Sequence, residues 1–196
     1  MSSKLAGMLA LTDVLPHAPT TTADALELFD SCPPVEPESM LGTWHGAELP
    51  TDHPLDGMLA ASGWWGKHFR NSESVDPLLF PTNDGAGLWA LNPLLAFAGL
   101  GVATKIPALK NQNFSGTIAA LRPALKARGP KARLRTTRYR GVDTATMIYD
   151  QLPINDVFRL ADDTAGAEVV IGAMDLRGIK APYFFVLQRD NSLRLV

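Results

Sequence analysis

The feature that most constrains this chain is the rhythm of its last third. Short β-prone runs at 131–140, 145–149, 157–160, 168–176 and 183–189 follow one another at roughly ten-residue spacing. Turn chemistry separates them, at Gly141-Val142-Asp143, Asp162-Asp163-Thr164 and Arg177-Gly178. Strands joined by such short connections meet their backbone hydrogen bonds by pairing with their chain neighbours, antiparallel. The expectation is a β-meander, and no repeat of solenoid length competes with it.

The earlier part reads as mixed. Thr21 or Thr22 can cap a short helix over 21–30, and Cys32-Pro33-Pro34 ends it. A strand is expected over 41–49, a turn over 50–54 and a helix over 55–69, with Asp52 as its cap. Strands at 77–80 and 86–91 flank the turn Pro81-Thr82-Asn83-Asp84-Gly85. Residues 92–107 suggest a loop or broken helix. Ser115 to Arg128 suggests a helix disturbed by Pro123.

Composition narrows the class. With 196 residues and 46% hydrophobic content, the chain fits one globular core and is too apolar for disorder. A lone Cys32 makes no internal disulfide, and His17, His45, His53 and His68 lack zinc-ligand spacing, so no metal or cofactor is expected. The apolar run Leu5 to Leu11 is too short for a signal peptide core with a cleavage site. The stretch 88–102 has 15 residues, interrupted by Asn92 and Pro93, against the ~20 of a membrane span. It reads as buried core, and the default compartment is cytoplasmic.

Charge is divided along the chain. Residues 1–104 hold 12 acids and 3 bases, and residues 105–196 hold 8 acids and 15 bases. The run from Arg122 to Arg140 holds eight basic residues and no acid. It is split between a helix and a strand in a chain of net charge −2, so a solvated face is favoured over nucleic-acid binding.

One group of motifs is more specific. Gly42-Thr43-Trp44-His45-Gly46 is followed by 51–57 (Thr-Asp-His-Pro-Leu-Asp-Gly), Gly63-Trp64-Trp65-Gly66-Lys67, Asp76-Pro77-Leu78-Leu79-Phe80 and Leu91-Asn92-Pro93. This resembles the bacterial and fungal family named for its GXWXG motif, in which a second domain of unknown function follows. Ala132-Arg133-Leu134-Arg135, Tyr139-Arg140-Gly141, 146–150 and Pro182-Tyr183-Phe184-Phe185 resemble that second element. His68 departs from the Arg expected after Gly-Lys. The resemblance covers residues 24 to 189 and implies no established activity. The Gly-x-Trp is also similar to that of lipocalins and other calycins, whose Trp closes one barrel end beneath a late basic residue. That similarity implies a structural Trp44 under Arg189, with Arg177 as the alternative.

The fold expected is therefore mainly β: a lipocalin-like antiparallel barrel with two or three accessory helices. Its parts would be an N-terminal arm (1–20), a GXWXG segment with early strands and a lid helix (21–104), and a basic helix and meander (105–196) completing one barrel. Acids from 24–84 should pair with arginines from 122–140 across the shared fold.

On a helix over 53–67, His53, Asp56, Ala60, Trp64 and Lys67 would share a face. An Asp–Lys pair there could bind a polar head or do acid/base work. Arg138 or Arg140, on the Leu134 face of its strand, would be an inward anchor for a carboxylate, because an inward Arg demands a partner. The expected cavity residues are Met58, Trp64, Trp65, Phe97, Met147, Tyr149 and Phe185. The expected function is binding of a small apolar molecule with a polar head, such as a fatty acid, retinoid or terpenoid. The alternative is a barrel cyclase or isomerase using Asp56 and Lys67. Neither nucleic acid nor a membrane span is expected, and a homodimer is one assembly the reading allows.

Overall fold

The computed structural model describes residues 9–103, 113–162 and 168–196. The start of the 5–11 apolar run, the end of the 92–107 stretch and the turn at 163–164 lie outside them.

The ten strands among the described residues belong to one sheet. They are β1 (Gly42–Glu48), β2 (Gly66–Asn71), β3 (Ser74–Pro81), β4 (Gly87–Ala90), β5 (Ala132–Tyr139), β6 (Val142–Tyr149), β7 (Ile154–Asp162), β8 (Val169–Leu176), β9 (Tyr183–Arg189) and β10 (Arg194–Leu195). Their order is β10-β4-β3-β2-β1-β9-β8-β7-β6-β5. An added β3–β5 pairing, with Val75 opposite Ala132, turns the sheet into a ring. Every pairing is antiparallel except that of β10 with β4. The meander read from the last third is β5 to β9, and its last strand returns to pair with β1 of the GXWXG segment. Both halves thus share one ring and one core.

Alternation along the strands sets the two faces. On β9, Tyr183, Phe185 and Leu187 join the main core with Trp44, Phe69, Leu134, Met147 and Phe158. Phe184 points to the other face, where Ala25 and Phe29 of a helix pack on Val157, Ile171 and Ala173. That helix, α2 (Thr22–Ser31), is capped by Thr21, whose hydroxyl accepts from the Asp24 amide. A four-residue helix, α1 (Leu11–Val14), precedes it.

The helix expected over 55–69 is corrected. Only α3 (Met58–Ser62) is helical, because Gly63 takes a left-handed φ of 77° and caps its C-terminus. The chain then enters β2, so Lys67 sits on a strand rather than one helical turn beyond Trp64. Asp52 does not cap α3; the Glu48 carboxylate of β1 accepts from the Gly57 and Ala60 amides instead. The 92–107 stretch contains α4 (Pro93–Ala103). The 115–128 segment divides into α5 (Ser115–Ala120) and α6 (Arg122–Leu125), with Pro123 in the first turn of α6, where its missing N–H costs nothing.

Arg135 pairs with Glu73 at 2.7 Å and Arg140 with Asp30 at 2.6 Å. These join the basic meander to the acidic first half, as the charge division anticipates. Both are solvent-facing pairs, so they orient more than they stabilise.

Trp44 lies under Arg189, with the guanidinium carbon 4.4 Å from the ring centroid. The Trp44 indole donates to the Met40 carbonyl at 2.7 Å. Arg189 donates to the Glu168 carboxylate and to the Leu41 and Ser39 carbonyls. The Trp44 indole N–H and the Arg189 guanidinium are thus both hydrogen-bonded within the protein.

Candidate functional site

The second glycine of the motif makes room for an indole of the site. A Cβ on Gly46 would stand 2.2 Å from the Trp64 ring, so only glycine lets that indole lie across β1. Gly172 of β8 does the same for the Phe185 ring, at 2.3 Å. Trp64 and Phe185 then meet edge to face, 6.0 Å between centroids. They form part of the wall of a cavity of about 410 Å³.

Strands and helices both build this cavity. Met58, Leu59 and Ser62 come from α3, and Leu78 and Phe80 from β3. Leu95, Ala96 and Phe97 of α4, with Ile118 of α5 and Leu125 of α6, cover it. Tyr149, Met174, Tyr183 and Phe185 come from the meander. Apart from the hydroxyls of Ser62, Tyr149 and Tyr183 the lining is apolar, with one charged exception. Lys67 of β2 and Asp156 of β7 face each other there, Nζ to Oδ2 at 2.8 Å, with side chains 3% and 1% exposed.

The environment of this pair is unusual. Lys67 Nζ lies 4.8 Å from the Phe185 ring centroid, 5.5 Å from Trp64 and 5.9 Å from Tyr149. It also donates to the Pro77 carbonyl at 3.3 Å. The two charges are close enough for full attraction, yet neither Asp156 oxygen receives a well-angled hydrogen bond among the described residues. Burial pushes the Asp156 carboxyl up, against the pull of Lys67 and of the Tyr149 hydroxyl. Burial and the neighbouring Asp156 charge hold the Tyr149 hydroxyl protonated, far above the usual tyrosine range. The Trp64 indole N–H is likewise buried without a partner among the described residues. A dry ion pair with unmet hydrogen-bonding capacity can hold a polar group or pass a proton.

Of the residues expected at the cavity, Met58, Trp64, Phe97, Tyr149 and Phe185 line it, and so does Lys67, expected as an acid/base group. Met147 belongs to the core beneath, without lining the cavity. Trp65 is corrected: it is on the opposite face of the sheet, stacked on His45 at 4.3 Å and packed with Leu79 and Leu88. Trp64 and Trp65 are consecutive in extended chain, so they must part.

Arg138 and Arg140 are also corrected. Neither enters the ring, because β5 runs past its rim. Arg138 pairs across the hairpin with Asp143 at 2.8 Å, and Arg140 occupies the turn beside Asp30. Asp56 does not line the cavity either. Its carboxylate accepts from the Thr51 and His53 amides, fixing the turn before α3. The acid opposite Lys67 is Asp156, which the sequence reading passes over. Among the described residues, no group of three His, Cys, Asp or Glu side chains could hold a metal ion. None of their helices is long and apolar enough to cross a membrane.

Comparison with known proteins matches this architecture. Residues 27–85 fit the model described as GXWXG protein, and residues 130–189 fit that of a domain of unknown function, DUF4334. Among curated proteins, none matches significantly. A crystal structure of a protein from Thermomonospora curvata is similar to 92% of this chain and 95% of its own, with 30% identity and a TM-score of 0.64. The motif thus supplies Trp44 and the glycine against which Trp64 lies, while the second segment supplies Tyr149 and Asp156, and the chain belongs to the family of GXWXG proteins that carry this C-terminal domain.

Proposed function

We propose that the protein binds a small apolar molecule bearing a polar head, with the head at Lys67 and Asp156 and the body against Trp64, Phe97 and Phe185. One observation carries this reading: an apolar cavity of about 410 Å³ whose lining includes a single buried ion pair. Cavities of this volume and character suit small ligands. Burying two charges in such a wall costs stability that a hydrophobic pair would spare, which favours a use for them beyond folding. The anchor is Lys67, in place of the arginines expected from β5.

Native mass spectrometry of protein purified from its own host tests the reading. A released apolar molecule of defined mass is the expected result. A bare protein that also binds no fatty acid, retinoid or terpenoid in titration would contradict it.

A second reading, an isomerase or cyclase acting on the bound molecule, is favoured by the raised Asp156 carboxyl beside the protonated Tyr149 hydroxyl. The acid/base pair would then be Asp156 and Lys67 rather than Asp56 and Lys67. Asp156→Asn, assayed under conditions where circular dichroism shows it folded, would then abolish turnover.

A further inference from the structure

The ligand's head group can be narrowed, on the ligand-binding reading above. Lys67 and Asp156 sum to zero charge, whichever of the two holds the shared proton. No other charged residue lines the cavity among the described residues. A carboxylate entering this space would bring a negative charge already lacking a counter-ion, because the Lys67 ammonium is matched by Asp156 at 2.8 Å. In an apolar wall such a charge is costly. A neutral oxygen brings no such cost.

Hydrogen-bond capacity points the same way. An ammonium has three donors and no acceptor. Here one direction faces Asp156 and another the Pro77 carbonyl at 3.3 Å. One donor remains, on a side chain that lines the cavity. The Trp64 indole N–H, buried and without a partner among the described residues, is a second donor on the same wall. The unmatched capacity is of both kinds, since both Asp156 oxygens also lack a hydrogen-bond donor among the described residues; a hydroxyl, which accepts and donates, answers both, while a carboxylate only accepts.

We infer that the cavity selects apolar molecules ending in a neutral oxygen, a ketone or alcohol, and discriminates against the matching carboxylate. Among the classes considered, this favours terpenoid or long-chain alcohols and ketones over free fatty acids.

The test uses matched pairs titrated into the whole protein at pH ~8, where the free acids are ionised: decanol with decanoate, farnesol with farnesoate, retinol with retinoate. For pairs that bind, the alcohol should be at least about tenfold tighter. A carboxylate binding as tightly as its alcohol would overturn the inference while leaving ligand binding intact. If no member of the panel binds, the ligand-binding reading itself falls.

Two variants sharpen the result. Asp156→Asn leaves the Lys67 charge unmatched, and preference should reverse toward the acid. Unchanged preference for the alcohol would contradict the charge argument. The double variant Lys67→Met/Asp156→Leu removes both charges without leaving either alone. With only the Trp64 N–H left to meet an oxygen, decanol's advantage over decane should shrink, and an undiminished preference for decanol would likewise count against the inference.

Discussion

Two indoles in this ring each lie near a cation, and they are treated in opposite ways. Trp44 has Arg189 at 4.4 Å, its own N–H is bonded to Met40, and Arg189 is held by Glu168 and two carbonyls. Trp64 has Lys67 at 5.5 Å, its N–H has no partner among the described residues, and Asp156 opposite is poorly satisfied. The first arrangement is saturated. The second holds polar capacity in reserve beside a cavity. Similar side chains therefore play different parts, and the difference lies in whether every donor and acceptor is spent within the protein.

The largest effect expected is at the closed indole. Trp44→Ala empties a fully buried site and should cost about 3–5 kcal/mol in urea unfolding. A loss under about 1 kcal/mol would mean that Trp44 is not a packed plug.

Asp156→Leu alone leaves Lys67 buried and unpaired, and should cost about 3–4 kcal/mol. Adding Lys67→Met should recover most of that loss in the same unfolding measurement. No recovery would mean that the pair is structural in the manner of Arg189.

Arg189→Met removes the cover from Trp44 together with its charge-assisted hydrogen bonds. A loss of about 2 kcal/mol is expected, without change in ligand affinity.

The smallest effect is pH dependence. Burial holds His45 and His68, on the strands around Trp44, below the ordinary value of 6.5. Near and just below that value the unfolded chain binds more protons at these groups than the folded one does. Their contribution is thus present above 6.5 and is lost as pH falls toward the folded values. Urea midpoints should drop on acidification from pH ~7 to ~5.5, and His45→Gln/His68→Gln should flatten that slope. An unchanged slope would place the acid sensitivity elsewhere.

Much of the ring was legible because hairpin meanders carry their pairing in local turns. The Trp44–Arg189 contact was legible through family resemblance. The cavity's ion pair was half visible. Lys67 stood out beside two tryptophans, but its neighbours spaced like a helix, and the break at Gly63 depends on a backbone conformation that spacing alone does not reveal. Asp156 falls just outside the β-prone run read at 157–160. Extending that strand back to Ile154 puts Ile154, Asp156, Phe158 and Leu160 on one face, an acid in an otherwise apolar row. That alternation was the available signal. Arg138 and Arg140 have the parity of Leu134, but parity does not say where a strand leaves the ring.

The most direct test fills the cavity without touching either ion-paired group. Met58 lines it from α3, and Met58→Trp would place a large ring there. Titrating farnesol into wild type, Met58→Trp and Arg189→Met compares the open and closed sites in one experiment. Binding to wild type and Arg189→Met should agree within about twofold, and Met58→Trp should lose at least about tenfold. Undiminished binding to Met58→Trp would contradict binding in this cavity.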